Sequence, residues 1–153
     1  MLNNYLKLLP LMTLIIINRE AFSFCDTSMP NRYPTVEREF ETSKMVIDGV
    51  VLSKKTISTP DDPIGYVATL YTVKPLHVFK GNKIKEITLY SENTSARFPM
   101  GIGKRYIIFA QTSDDGLFID NCGNSEKIKK SSKIISKVIA LSHNSAKPKS
   151  NTN

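Results

Sequence analysis

Short runs rich in β-branched and aromatic residues recur between residues 45 and 119, and they restrict the fold more than any other feature of the chain. The longest run, 66–79, alternates residue by residue between two faces, as a strand does when one of its faces is buried. Pro75 and Gly49 each interrupt such a run, and both predict a bulge or a bend. The other predicted strands are 45–52, 87–90, 106–110 and 117–119. Five short strands with irregular connections favour a small closed or nearly closed barrel over a sandwich.

Two helices are predicted to flank these strands. Residues 36–41 follow Thr35, a favourable N-cap, and carry acidic side chains in the first turn, where the helix dipole stabilises them. Residues 126–141 place apolar side chains on one side, and we expect that side to pack against the barrel. Binding to a membrane or to a partner is the alternative. The apolar side consists of Ile128, Ile134, Ile135, Val138 and Ile139. Between the first two strands, 54–65 is predicted to be a polar loop.

The first 23 residues have the pattern of a secretory signal peptide. Their apolar core, 8–17, is shorter than the ~20 residues that a membrane-spanning helix needs. Small residues favour cleavage between Ser23 and Phe24, which predicts a secreted or periplasmic protein. An uncleaved membrane anchor and lipidation of Cys25 are the alternatives. The predicted organisation is a signal peptide at 1–23, one domain at 24–142 and a disordered tail at 143–153.

The chain has two cysteines, Cys25 and Cys122. In an exported protein they permit one intramolecular disulfide, between these two residues. Closing a loop of about a hundred residues would stabilise the fold by ~4–5 kcal/mol on the chain-entropy model. Neither cysteine belongs to a C-x-x-C pair or has a histidine nearby in the sequence, as a zinc site would require. The sequence therefore predicts a disulfide and no bound metal.

Positive charge is concentrated at the C-terminal end of the chain. Residues 1–126 contain 14 basic and 14 acidic side chains, whereas the remainder contains seven lysines and no acid, so it carries the whole net charge of +7. Such a segment suggests an anionic partner, such as a membrane surface, a polysaccharide or nucleic acid, but a solvated helix face followed by a disordered end is the preferred interpretation. The candidate surface-binding lysines are Lys127, Lys129, Lys130, Lys133 and Lys137.

The sequence carries no recognised catalytic motif. It lacks a nucleophile elbow, an H-E-x-x-H zinc motif, a Walker loop and a dinucleotide-binding fingerprint. Its two histidines are too few for most acid–base or metal schemes. His77 is expected to be a partly buried structural residue, and His143 falls in the predicted tail. We therefore predict a protein that is not an enzyme and needs no cofactor.

Several short motifs occur in the order and spacing of a known family. They are Asp48-Gly49-Val50-Val51, Tyr71-Thr72-Val73, Val78-Phe79-Lys80-Gly81, Phe98 with Gly103-Lys104-Arg105-Tyr106-Ile107-Ile108-Phe109-Ala110, and Asp115-Gly116-Leu117 with Asn121-Cys122. Over residues 24–139 the chain resembles the bacterial branch of the tissue-inhibitor-of-metalloproteinases family, whose netrin-like domain is a variant of the OB-fold. The resemblance implies a mainly β, five-stranded Greek-key barrel with a short N-terminal helix and a C-terminal basic amphipathic helix.

The resemblance also bears on the mature N-terminus. Animal inhibitors of this family chelate the protease zinc through the α-amine and carbonyl of an N-terminal cysteine. Here Ser23-Phe24-Cys25 stands where the family has C-x-C, and the loop 93–97 lacks the cysteine that would pair with the first one. Both halves of that bridge are absent, and both halves of the other remain. An inhibitory wedge would consist of Phe24, Cys25, Asp26 and Ser95.

Three functions are therefore open. The first is an exported, non-catalytic binding module for a protein or glycan, since OB barrels bind along one strand face and its adjoining loops. The second is inhibition of a zinc metalloprotease through the N-terminal wedge. The third is binding to an anionic surface through the lysine-rich segment. Nucleic acid is not the expected partner of an exported chain.

Overall fold

The described residues form one mixed β-sheet, with one helix before its first strand and one after its last. The computed structural model describes residues 33–59 and 65–145. The elements in chain order are α1 (Val36–Thr42), β1 (Met45–Ile57), β2 (Ala68–Lys80), β3 (Ile87–Glu92), β4 (Arg105–Ser113), β5 (Gly116–Phe118), β6 (Glu126–Lys127), a 3₁₀ turn (Ile128–Lys130) and α2 (Ser132–Ser145). The leader, Phe24, Cys25, Asp26 and the end of the tail lie outside the described residues, so the predicted cleavage site and disulfide stay predictions.

Five of the six strands nearly close into a ring. The sheet order is β1-β2-β3-β5-β4-β6, and β1 also pairs with β4, which joins the two sides. Closure is weakest between β3 and β5, whose single parallel pair is Tyr90 with Phe118. The remaining strand pairs are antiparallel. The predicted small, nearly closed β structure is confirmed at this level.

Three register shifts allow β1 to serve both sides of the ring. They fall between Val46 and Ile47, between Asp48 and Gly49, and between Val51 and Ser53. A bulge increases the local twist and bends the strand. At the middle shift Gly49 pairs with Pro75. Both residues therefore lie at an irregularity of the strands, as the sequence predicted for each of them. A Cβ on Gly49 would lie 2.6 Å from Val73 Cγ1, so the two backbones approach more closely than another side chain allows.

Two hydrophobic clusters lie on opposite faces of the sheet. The cluster inside the ring includes Ile47, Val73, Leu89 and Ile108, which are fully buried. The second cluster lies outside the ring and is covered by the two helices; its buried members are Val36, Phe40, Val46, Ile107, Phe109 and Val138. Neighbouring residues such as Val46 and Ile47 enter different clusters because side chains alternate along a strand. The helices therefore pack on the outer wall of the ring.

The first helix was predicted correctly, and the strand β1 was predicted too short. Thr35 caps α1 by accepting a hydrogen bond from the amide of Arg38 at 3.2 Å. β1 continues to Ile57, although 54–65 was expected to be a loop. Its outer half has no apolar alternation because both faces are exposed, and backbone pairing with β2 holds it regardless of side-chain polarity.

The predicted helix at 126–141 begins and ends in the wrong places. Glu126 and Lys127 form β6 instead, because they pair with Ile107 and Tyr106 of β4. The helix α2 starts at Ser132 and extends to Ser145, so His143 belongs to it and not to a tail. Ile139, assigned to the apolar side, is 41% exposed, whereas Val138 is fully buried. In the described part of the chain no helix is long and apolar enough to span a bilayer.

Candidate binding cleft

The inner face of β1, β2 and β3 changes from apolar to polar towards one rim of the ring. Cross-strand partners place the side chains in rows, and successive inward rows are two residues apart. The three rows are Val51–Val73–Ile87, then Lys54–Tyr71–Leu89, then Thr56–Thr69–Ser91. The first row belongs wholly to the core, and the last consists of three hydroxyl side chains. This composition leaves the rim of the ring polar on the inside.

A cleft of about 730 Å³ lies over this hydroxyl row. Its floor is formed by β2, β3 and the loop between β3 and β4 and includes Tyr71, Ser91, Phe98 and Met100. Its edges are polar and aromatic side chains: Lys54, Thr56, Tyr66, Glu92, Asn93, Arg97 and Asn121. The volume falls in the range typical of small-ligand sites, roughly 300–1,000 Å³. We call this feature the rim cleft.

Three hydroxyl groups at the floor of the rim cleft are nine-tenths buried or more. Thr69 is 9% exposed, Tyr71 5% and Ser91 3%. The Ser91 hydroxyl accepts a hydrogen bond from the amide of Phe98 at 3.0 Å, and the Tyr71 hydroxyl accepts one from the amide of Met100 at 3.2 Å. None of the three donates to an acceptor within the described residues, and Thr69 Oγ1 has no hydrogen-bond partner there. Their protons remain available to a bound molecule.

The Asn93 side chain fixes one edge of the rim cleft. Its Nδ2 donates to the carbonyl of Tyr66 at 2.8 Å, and its Oδ1 accepts from Arg97 Nη1 at 2.9 Å. The backbone amide of Asn93 donates to the carbonyl of Val67. These bonds join the β3–β4 loop to the start of β2. Asn93 therefore holds the Arg97 guanidinium at the edge of the cleft, which Lys54 on β1 also lines.

Ser95, the one member of the predicted wedge that is described, is exposed in the same β3–β4 loop. The carbonyl of its neighbour Ala96 accepts a hydrogen bond from the amide of Asn121 at 2.8 Å. Cys122 follows immediately and is 8% exposed. The β3–β4 loop and the segment carrying Cys122 are thus adjacent. The contribution of Phe24, Cys25 and Asp26 lies outside the described residues.

A second cavity of about 570 Å³ lies between the ring and the start of α2. Phe98, Pro99 and Asn121 line both cavities, so the two are neighbours. Lys127 and Lys130, two of the predicted surface-binding lysines, also line the second cavity. This cavity therefore connects the rim of the ring with the lysine-rich segment.

The five predicted surface-binding lysines are all exposed but do not share one helix face. Lys127 is in β6, Lys129 and Lys130 are in the 3₁₀ turn, and only Lys133 and Lys137 lie on α2. Lys137 Nζ forms an ion pair with Glu37 Oε1 at 2.9 Å, which lowers the pKa of Glu37. The structure thus spreads these charges over three elements.

Sequence reasoning missed a buried carboxylate on α1. Glu39 is 5% exposed, and its Oε2 accepts hydrogen bonds from the backbone amide and from Nδ2 of Asn124, both at 2.6 Å. Burial raises the pKa of Glu39 above its ordinary value. A Cβ on Gly123 would collide with this carboxylate, so the Glu39 side chain would have to shift if another residue replaced Gly123. An acidic residue in a first helical turn looks like an ordinary dipole partner, which concealed this role.

An ion pair joins three strands of the ring on its outer surface. Arg105 Nε donates to Asp48 Oδ1 at 2.7 Å, and Arg105 Nη2 donates to Asp48 Oδ2. The Asp48 bond raises the pKa of Arg105 above its ordinary value. His77 Nδ1 lies 3.4 Å from Asp48 Oδ2, and the His77 side chain is 66% exposed, so its expected partial burial is wrong. His77 follows the bulge opposite Gly49, which turns it outward.

Residues 33–59 and 65–145 contain no group of three or more histidine, cysteine, aspartate or glutamate side chains placed to hold a metal ion. Comparison with protein-family models and with curated proteins finds no match. The chemistry of the site must therefore be argued from its own residues.

Proposed function

We propose that this chain is an exported, non-catalytic binding module that holds its partner in the rim cleft. The observation that carries the proposal is the polar end of the ring interior, where buried hydroxyls of β2 and β3 face a cleft of about 730 Å³. Hydroxyl groups that open into a cleft provide directional groups for recognition.

The pairing order supports a finer assignment of the fold, a five-stranded Greek-key barrel of the OB type with the netrin-like variations. In OB barrels the face of the second and third strands, with the adjoining loops, is the usual binding surface. Here β2 and β3 supply the floor of the rim cleft. The resemblance to the inhibitor family agrees with this assignment. The predicted leader and the Cys25–Cys122 bridge would place the module outside the cytoplasm.

Binding to envelope extract immobilised on a sensor surface tests the proposal. The mature protein is expected to bind saturably, and Arg97→Glu, which reverses a charge at the cleft edge, is expected to bind at least several-fold more weakly. Lys83→Glu is the matched control, because Lys83 is exposed in the turn after β2, at the far end of that strand from the cleft. Equal binding by wild type and Arg97→Glu would refute the assignment of the site.

Inhibition of a zinc metalloprotease is the second candidate. The hydrogen bond between Asn121 and Ala96 favours it, since it places the segment carrying Cys122 beside the Ser95 loop. A Cys25–Cys122 bridge would then bring the predicted N-terminus to the same loop. Removing residues 24–28 should abolish inhibition of a susceptible protease, whereas Lys83→Glu should leave it intact. Inhibition that survives the truncation would refute the wedge.

Binding to an anionic surface is the third candidate, and it is supported by the exposure of all five lysines. The pairing of Lys137 with Glu37 suggests that Lys129 and Lys133 contribute more. Binding to vesicles containing anionic lipid should weaken with added salt and with the double change Lys129→Gln and Lys133→Gln. Salt-independent binding would contradict an electrostatic mode.

A further inference from the structure

Buried hydroxyl-bearing residues and two cationic side chains line the rim cleft. The hydroxyls of Thr69, Tyr71 and Ser91 are buried and donate to nothing within the described residues. A buried hydroxyl that donates to no protein group leaves its proton to a water molecule or a ligand oxygen. Three such groups on adjacent strands favour a ligand with several oxygen atoms placed close together.

Two positively charged side chains lie at the edge of the rim cleft. Lys54 and Arg97 stand on different elements, one on β1 and the other in the β3–β4 loop, and Glu92 is the acidic residue that lines the cleft with them. Among the residues that the structure describes, one donor of the Arg97 guanidinium is engaged, in the bond to Asn93. A planar guanidinium matches the two oxygens of a carboxylate. The edge thus favours a ligand that carries negative charge.

A saccharide matches these groups better than a peptide does. A peptide backbone carries separate N–H donors and carbonyl acceptors at fixed positions, whereas each sugar hydroxyl is both donor and acceptor. Sugar hydroxyls can accept from the buried hydroxyls and donate to an asparagine at the same time. Tyr66, half-buried at the edge, offers an aromatic face for a sugar ring.

We propose that the rim cleft binds an acidic saccharide, with the sugar oxygens on the hydroxyls of Thr69, Tyr71 and Ser91 and the sugar carboxylate between Lys54 and Arg97. This inference rests on the proposed binding function and names the chemical class of the partner.

Calorimetric titration of the mature protein tests it with three probes: a galacturonic acid tetrasaccharide, the methyl ester of that tetrasaccharide, and a tetraglutamate peptide. The acidic sugar is expected to bind saturably, and the ester and the peptide at least about tenfold more weakly, because each lacks one of the two features. Tighter or equal binding of the peptide would assign the site to acidic proteins and overturn the saccharide. No binding of the acidic sugar would also overturn it.

Matched variants locate the binding. Thr69→Val keeps the side-chain shape and removes the buried hydroxyl, so it should weaken the acidic sugar up to about tenfold while the fold is retained. Thr72→Val is the control, because Thr72 lies on the opposite face of the same strand. Arg97→Gln should weaken the acidic sugar and leave the weak binding of the ester unchanged. Equal affinity of wild type and Thr69→Val would overturn the role of the hydroxyl floor.

Failure of this inference can be told apart from failure of the binding function. If no acidic sugar binds, yet Arg97→Glu still weakens binding to envelope extract, the saccharide is wrong and the cleft remains the binding site. If the sugar binds but only Lys129→Gln with Lys133→Gln reduces the affinity, the lysine-rich segment is the site and the saccharide assignment of the cleft is overturned. If the protein binds neither the acidic sugar nor the envelope extract, both the saccharide inference and the proposed binding function are refuted.

Discussion

Two hydrogen bonds join the Glu39 carboxylate on α1 to Asn124, 85 residues later in the chain, just before β6. The same Asn124 side chain donates to the carbonyl of Pro34 at 2.8 Å. Asn124 therefore fixes both the start of α1 and the segment that follows Cys122. Because Asn124 also lines the second cavity, this contact defines one wall of the region between the ring and α2.

Replacing Asn124 should destabilise the fold. Asn124→Ala removes the side-chain donor to Glu39 and to Pro34 but keeps the backbone amide bond to Glu39, and we expect a loss of about 1–3 kcal/mol in the free energy of unfolding. Urea titration followed by far-ultraviolet circular dichroism measures it, since the chain has no tryptophan. Asn82→Ala, in the exposed turn after β2, should change stability by less than about 0.5 kcal/mol. Similar losses in both variants would contradict the bridging role.

Glu39 should make stability depend on pH. Burial raises its pKa in the folded protein above that in the unfolded chain, so the folded state binds the proton more tightly. Its contribution to stability is therefore greatest below the ordinary carboxyl pKa and falls as the pH rises through the raised value. Relative to Glu39→Gln, the wild type should lose stability as the pH rises from the ordinary carboxyl pKa through the raised value. The same comparison with Glu37→Gln, on the exposed face of α1, should not show this trend. A difference in the free energy of unfolding between the wild type and Glu39→Gln that does not change with pH would contradict the argument.

The Asp48–Arg105 pair should respond unequally to loss of either partner. The Asp48 side chain is 7% exposed and that of Arg105 is 44% exposed. Arg105→Met leaves a buried carboxylate without its two guanidinium donors, whereas Asp48→Asn leaves a guanidinium that water can reach. We expect Arg105→Met to lower the free energy of unfolding by about 1–3 kcal/mol, which is less than for a fully buried pair because solvent reaches Arg105. Asp48→Asn should lower it by less. Denaturant unfolding of both variants gives the order, and the reverse order would contradict the argument.

Val138 and Ile139 should differ sharply, although they are neighbours and both were assigned to the apolar side of the helix. Val138 is fully buried against the outer wall of the ring, and Ile139 is 41% exposed. Val138→Ala should cost about 1–3 kcal/mol through lost burial and a cavity, and Ile139→Ala less than about 1 kcal/mol. Thermal unfolding compares them directly. Equal losses would mean that α2 packs in another orientation.

The predicted bridge and leader can be tested together on protein from its native envelope or medium. We expect an N-terminus at Phe24 and a mass that rises by two hydrogen atoms on reduction. The double change Cys25→Ser and Cys122→Ser should destabilise the domain by up to ~4–5 kcal/mol on the chain-entropy model. An N-terminal Cys25 would instead strengthen the inhibitor hypothesis. A lipid mass on Cys25 would show a membrane-tethered protein.

The strands could be predicted from the sequence wherever one face of a strand is buried. Residues such as Tyr71 and Val73 must point inward, so the alternation is imposed on the amino acids themselves. The outer half of β1 escaped detection because both of its faces are exposed and only backbone pairing holds it. The N-cap at Thr35 was readable for the opposite reason, since it depends on a contact only three residues away.

By itself the sequence determined the strands that have one buried face, the start of α1 and the interruptions at Gly49 and Pro75, because these depend on local chemistry. Tertiary structure alone decided that Glu126 and Lys127 pair with β4, that Glu39 meets Asn124, and that three hydroxyls gather at one rim. Those contacts join residues far apart in the chain. Register and bulges determine them, and no single segment contains that information.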